Sequence, residues 1–253
     1  TRIMRGKVNG VFAAQAGPGI ENAFPGVAQA FSENVPMLIL PGGLASARQY
    51  RHPTFSAVDV FAPITKWAAR AHSVQAIPDL MRQAYHAMRT GKGGPVLLEI
   101  PLEVWDQEFS GELTYEPVQA CPVAPDPAAI AEAARILLAA KSPILWAGQG
   151  VLYAEASEEI AELAELVPAP VMMTNPGKSA IPENHPLSLG GSTKSRPRTV
   201  SEFMDRADLV FAIGSSLTIT NFGPKVPPGK KIVHSTNDPS DINKDYRADH
   251  AVI

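Results

Sequence analysis

Val8-Asn9-Gly10-Val11-Phe12-Ala13-Ala14-Gln15-Ala16-Gly17-Pro18-Gly19 is the stretch that decides the fold. Its first seven residues are short and apolar and show no polar stripe, which predicts a strand buried on both faces. Gly17-Pro18-Gly19 then predicts a tight turn. Asn22 is expected to cap a helix with Pro25 in its first turn and Val27, Ala30 and Phe31 on one side. Val35 to Leu40 reads as a second strand and Pro41-Gly42-Gly43 as the turn after it, which completes a right-handed crossover unit. The opening strand of a parallel sheet needs neighbours, yet this one begins almost at residue 1. The expectation is therefore that the chain starts inside a longer protein.

The composition narrows the function classes. With 45% hydrophobic and 19% charged residues, the 253-residue chain reads as an ordinary globular protein rather than a disordered or fibrous one. A formal net charge of -3 provides no basic field for a phosphate backbone, so nucleic acid is not an expected partner. No apolar run reaches bilayer-spanning length and the first ten residues lack the apolar core of a signal peptide, so no membrane partner and a cytoplasmic location are expected. The single cysteine, Cys121, lies in a proline-rich stretch and is not expected to be catalytic. The six histidines show no metal-ligand spacing and read as surface or hydrogen-bonded imidazoles.

Further along, Ile77, Leu80, Met81, Ala84, Tyr85 and Met88 form one stripe of a helix over 74–88, which Gly91 to Pro95 should stop. Val96-Leu97-Leu98-Glu99-Ile100 reads as a buried strand. Residues 111–125 lack periodicity and contain three prolines, so they are expected to link a first domain, 1–110, to a second, 126–253. In the second, Asp126 should cap a helix that turns Ile130, Ala133, Ala134, Leu137 and Leu138 inward. Strand 144–147, turn 148–150, a helix over 154–166 and strand 171–174 follow. A long loop to Arg198, a short helix to Arg206 and strands 209–213 and 231–234 complete it. This alternation predicts an α/β fold of two consecutive doubly wound parallel sheets, with loop sites at the carboxyl ends of the strands.

Those turns hold the candidate sites. Gly17 and Gly19 leave backbone amides bare ahead of a helix, which suits a flat or anionic ligand, although such a turn is also common as plain structure. Gly148-Gln149-Gly150 is similar to the start of a dinucleotide fingerprint, with Tyr153 where a third glycine would stand.

Two series of motifs carry a family resemblance. The first comprises Gly17-Pro18-Gly19-Ile20-Glu21-Asn22, Ala28 to Pro36, Thr65-Lys66-Trp67 and Gly94 to Pro101. It resembles the pyrimidine-binding domain of thiamine-diphosphate enzymes of the acetolactate synthase group. The second comprises Gly148 to Val151, Ala156 to Glu159, Pro182 to Gly190 and Ala207 to Val210, and it resembles that group's central, Rossmann-like domain. The resemblance implies a 2-oxo acid decarboxylase or carboligase that uses thiamine diphosphate and Mg2+. It implies a homo-oligomer, at least a dimer, with the cofactor bridging two subunits. The cofactor-binding positions it implies are Gly17, Pro18, Gly19 and Asn22 on the pyrimidine wall, and Gly148, Gly150, Thr174 and Gly214 in the central domain. Lys66 would face the neighbouring subunit or the substrate channel, or else be a solvated lysine beside Trp67.

The family's catalytic glutamate precedes the glycine turn and its metal-binding Gly-Asp-Gly lies in a third domain, so both are expected outside these 253 residues. Glu21 follows the turn and reads as a first-turn helix carboxylate. The chain is thus expected to be a fragment without turnover of its own. Tyr50 to Phe55 replaces the group's Phe-Gln-Glu, and Ser215 to Thr218 replaces the flavin-binding arginine and aspartate, which makes FAD doubtful. The basic loop 191–198 reads as an ordinary flexible loop or, second to that, as a holder for a nucleotide or coenzyme A phosphate. The alternative from another class is a non-catalytic nucleotide-binding module.

Overall fold

The structure, a computed structural model, describes residues 7–117, 123–195 and 197–253. Cys121, and Arg196 within the basic loop, lie outside the described residues. The chain divides into two compact units, Thr1–Pro122 and Val123–Ile253.

The first unit runs β1 (Gly10–Ala14), α1 (Pro18–Glu21), α2 (Phe24–Ser32), β2 (Met37–Gly43), α3 (Ala57–Phe61), β3 (Trp67–Arg70), α4 (Ile77–Arg89), β4 (Pro95–Pro101) and α5 (Leu102–Trp105). The strands pair in the order β1-β2-β4-β3, all parallel. Every residue of β4 is buried, because helices cover both faces of the sheet. Leu97 and Ile39 pack with Ile20, Val27 and Phe61 on one side. Leu38 and Val96 pack with Ala84 and Met88 of α4 on the other.

Four local expectations are corrected here. β1 is an edge strand, paired only with β2 among the described strands, and Val11 is 57% and Phe12 37% exposed rather than buried. Asn22 does not cap α2: it ends the short α1, where its Nδ2 donates to the Pro18 carbonyl at 2.8 Å, and Ala23 precedes α2 with no side-chain cap. Phe31 is exposed while Val27 and Ala30 are buried. Pro41-Gly42-Gly43 continues β2 instead of turning, since Gly42 and Gly43 still pair with Ile100 and Pro101.

The second unit runs α6 (Pro127–Ala139), β5 (Pro143–Ala147), α7 (Gln149–Tyr153), α8 (Ser157–Leu166), β6 (Val171–Thr174), β7 (Ser188–Ser192), α9 (Arg198–Arg206), β8 (Leu209–Ile213), β9 (Lys231–Ser235) and β10 (His250–Val252). Its six strands are parallel in the order β10-β9-β8-β5-β6-β7. Asp126 caps α6 by accepting from the Ala128 amide at 2.9 Å.

The inward stripe of α6 is rotated from the expected one. Ala129, Ala133, Ile136 and Leu137 face the core, while Ile130, Ala134 and Leu138 face out, Leu138 with 74% exposed. The small Ala129 and Ala133 allow close approach to β10, whose His250 bonds through Nε2 to the Ala129 carbonyl at 2.8 Å. The helix expected over 154–166 begins later, as α8 at Ser157, because Glu155 takes a left-handed φ of 57° between α7 and α8. Residues 188–192, expected as loop, form β7. Its two glycines and lack of β-branched residues hide it, and its register with β6 is irregular. β10, with three residues, also went unseen.

Asp208 ties the start of β8 to the turn ahead of β5. Its carboxylate accepts from the amides of Lys141 at 2.8 Å and Ser142 at 2.9 Å. Partial burial pushes this carboxyl up, but the two amide bonds outweigh it and the pKa lies below the ordinary 3.8. Asp208→Ala should therefore lower stability by about 1 kcal/mol near neutral pH. A depressed folded pKa contributes stability that is present above the unfolded value and lost as pH falls through the folded one. The difference between wild type and variant should thus shrink as a urea series is taken below pH 3.8.

Candidate functional site

Parallel strands bring their carboxyl ends to one edge, and in the first unit two cavities open there. One, about 670 Å3, is walled by Ala13, Gln15, Ala16, Leu40, Leu102 and Trp105. The other, about 210 Å3, is lined by Gln49, Tyr50, His52, Ser56, Asp59 and Arg70 among others. Leu44, just past the end of β2, lines both.

Gly17, Pro18 and Gly19 directly follow Gln15 and Ala16 at the mouth of the larger cavity. Gly17 holds φ at +69°, a left-handed conformation that favours glycine, and a Cβ there would meet only Glu21 Oε1, 3.9 Å away. The space beside the turn is open. Gly19 has a different reason: its Cβ would lie 3.0 Å from Gln15 Cβ, because the Ile20 amide folds back onto the Gln15 carbonyl at 3.0 Å. Asn22 belongs to the same turn. The structure thus brings four of the sequence-derived residues together beside an apolar crevice.

Sequence reasoning missed the charged pair beneath the smaller cavity. Glu99, read simply as part of a buried strand, is 2% exposed and forms an ion pair of 2.7 Å with Arg70 at the end of β3. Val58 at the start of α3 donates to Glu99 Oε2 at 3.4 Å. Gly43 is glycine because a Cβ would lie 2.9 Å from Glu99 Cγ. Burial pushes the Glu99 carboxyl up from the ordinary 4.5, and Arg70 and the amides of Val58 and Ala57 offset this only in part. A lone carboxylate inside the apolar run 96–100 was the available signal.

Lys66 sits at the opposite, amino-terminal edge of the sheet. Its Nζ donates to the Thr90 carbonyl at 2.7 Å and the Lys92 carbonyl at 2.5 Å, closing the end of α4. Neither reading offered for it from the sequence includes this capping role.

In the second unit, strand order reverses between β5 and β8, where a doubly wound sheet usually opens a ligand crevice. Gly148, Gly150 and Gly214 meet there, but as a backbone joint. Gly148 donates to the Ile213 carbonyl at 2.8 Å, Gly150 to the Gly214 carbonyl at 2.8 Å, and Gly214 to the Ser235 carbonyl at 3.0 Å. A Cβ on Gly150 would lie 2.6 Å from Gly214 Cα. Thr174 Oγ1 is likewise engaged, accepting from the Gly177 amide at 3.0 Å. The N–H groups of these three glycines are thus bonded within the protein. Nearby, Ser216 and Thr218 bond each other at 2.8 Å. In the basic loop, Arg198 pairs with Glu202 at 2.7 Å. His234 is buried and bonds through Nε2 to the Ser215 carbonyl at 2.7 Å; since a carbonyl only accepts, Nε2 carries the proton. Among the described residues, no group of three or more His, Cys, Asp or Glu could hold a metal ion. None of their helices is long and apolar enough to cross a membrane.

Two outcomes follow from this geometry. Gly150→Ala should destabilise by roughly 1–3 kcal/mol through backbone overlap. Gly26→Ala, in α2 with nothing within 4 Å of its Cβ, should be neutral or stabilising by up to about 1 kcal/mol. Urea midpoints check both. For Glu99, a folded pKa above the unfolded one contributes stability below 4.5 that is lost as pH rises through the raised value. Unfolding midpoints measured upward from pH 4.5 should decline for wild type and stay flatter for Glu99→Gln.

Comparison with known proteins supplies the context of these sites. Residues 130–253 match the family described as "Thiamine pyrophosphate enzyme, central domain", and residues 2–62 match "Thiamine pyrophosphate enzyme, N-terminal TPP binding domain". The "Probable acetolactate synthase large subunit" of Methanocaldococcus jannaschii is 31% identical over 96% of this chain and 43% of its own length. The glyoxylate carboligase of Escherichia coli O157:H7 is 30% identical over 100% of this chain and 44% of its own. The crystal structure of benzoylformate decarboxylase from Polynucleobacter necessarius shares the fold, with a TM-score of 0.80 and 24% identity over 96% of this chain and 46% of that one. The chain spans less than half the length of these relatives. Its two parallel-sheet units carry both matched regions, and the chain belongs to the thiamine-pyrophosphate-dependent enzymes.

Proposed function

We propose that this chain supplies the pyrimidine side of the cofactor site in an acetolactate synthase-like, thiamine-diphosphate-dependent 2-oxo acid decarboxylase or carboligase. The observation that carries the reading is the open crevice at the carboxyl edge of the first sheet, beside the left-handed turn at Gly17. Most of its wall lies in the region matched to the N-terminal cofactor-binding domain.

The residues fit the pyrimidine half of the cofactor. Ala13, Ala16, Leu40 and Trp105 offer an apolar wall, Gly17 leaves room for a flat ring, and the Gln15 side chain offers a donor and an acceptor for ring nitrogens. When bound, thiamine diphosphate supplies a nucleophilic carbon and an electron sink for loss of carbon dioxide. The contribution of this chain is to bind and orient the ring and to keep water from one face of it. The diphosphate and Mg2+ we place on residues beyond those described. A cofactor held from two sides argues for a homo-oligomer, at least a dimer. We read Gly148, Gly150, Gly214 and Thr174 as a brace of the central domain, and FAD has no part in the reading. A cytoplasmic location and a small 2-oxo acid substrate complete it.

Trp105 provides the readout. Adding thiamine diphosphate to the 253-residue chain should quench tryptophan fluorescence saturably. Gly17→Val, which fills the open side of the turn and strains a left-handed position, should weaken that quenching at least tenfold, equivalent to about 1.4 kcal/mol. Quenching of equal affinity in the variant would remove the turn from the cofactor site.

A further inference from the structure

The smaller cavity of the first unit has a chemistry that the cofactor reading does not use. Its floor includes Arg70, whose side chain is 16% exposed and which lies at the carboxyl end of β3. Three features define the state of this arginine. Its Nη2 pairs with Glu99 Oε1 at 2.7 Å. With its amide oxygen turned to Arg70, Gln49 accepts from Nε at 3.1 Å and from Nη2 at 3.3 Å. Nη1, with two N–H donors, has no protein acceptor among the described residues. The guanidinium is thus held through Nε and Nη2, only Nη1 is left over, and Arg70 borders a space of about 210 Å3.

The rest of the lining suits a small polar molecule. Tyr50, His52 and Ser56 offer hydroxyl and imidazole groups, and Phe55 an apolar surface. Asp59 also lines the cavity, but it is exposed, so water and salt weaken its repulsion of an anion. Glu99 lies behind Arg70 rather than in the lining. Burial pushes its carboxyl above the ordinary range although Arg70 lies beside it, and Arg70 also acts on the Glu103 carboxyl, helping to hold it below the ordinary range. The N–H groups left on Nη1 can donate a charge-assisted hydrogen bond to one oxygen of a small carboxylate.

We propose that this cavity binds a small carboxylate, with the Nη1 N–H groups of Arg70 as its anchor, Gln49 as the positioning residue that holds the guanidinium, and Glu99 as the buried counter-ion that competes with the ligand for it. Under the function proposed above, that carboxylate is the acid group of the 2-oxo acid. Binding at Arg70 needs no cofactor, so this proposal and the thiamine reading can fail separately.

The test uses the 253-residue chain and sodium pyruvate without thiamine, followed by saturation-transfer NMR at fixed ionic strength. Wild type should bind saturably. Arg70→Gln/Glu99→Gln, which leaves no unpaired buried charge, should weaken binding about tenfold or more, the usual worth of a charge-assisted contact. Glu99→Gln alone should tighten binding severalfold, because it removes the carboxylate that competes for the guanidinium; this arm decides the matter if the double variant does not fold. No saturable binding by wild type, equal binding by a folded double variant, or weaker binding by Glu99→Gln would each overturn the proposal. Binding of ethylammonium in place of pyruvate would do the same by showing a cation site.

Discussion

The constraint behind both units is that a parallel sheet buried on two faces sends all its carboxyl ends to one edge. In the first unit this rests on β4. It pairs with β2 on one side and β3 on the other, and none of its seven residues reaches solvent. Once Met37 aligns with Pro95 and Ile39 with Leu97, the register of β2 is set and its end delivers Gly42 and Gly43 to that edge. The candidate sites of the first unit gather there: the Gly17 turn, the apolar crevice, and Arg70 on its buried partner. A one-residue slip of β4 would exchange Glu99 for an apolar neighbour and undo the arrangement.

The same constraint has a different outcome in the second unit. Its strand order reverses where doubly wound proteins commonly hold a dinucleotide, and glycines stand at the right places. Yet the loops after β5 and β8 lie so close that Gly148 and Gly150 donate to the carbonyls of Ile213 and Gly214 and leave no room for a Cβ. Glycine in a βα turn has two physical uses, approach of a ligand and approach of another loop. Gly17 has open space beside it; Gly148, Gly150 and Gly214 have backbone. The difference lies in what stands opposite, which sequence motifs do not record.

That contrast also separates what could be read in advance from what could not. Strands rich in branched apolar residues, such as 209–213 and 96–100, announce themselves because burial on both faces demands such residues. Asp126 ahead of Pro127 announces a helix start for equally local reasons. β7 and β10 escaped because one is glycine-rich and the other very short, so their pairing comes from neighbours and not from their own composition. The rotation of α6 was hidden because every candidate face holds alanine or leucine, and the choice depended on which face could approach β10. At the site, the turn residues were legible, whereas the Arg70–Glu99 pair spans 29 positions and arises only when β3 and β4 lie side by side.

In the proposed function the cofactor's ring rests against the first unit and not in the glycine joint of the second. Hydrogen–deuterium exchange with and without thiamine diphosphate addresses this directly, since it reports where backbone amides gain protection. Exchange should slow across residues 13–22, with no change at 148–151 or 214–216. Protection confined to the second unit's glycine loops, with residues 13–22 unaffected, would contradict this placement of the ring.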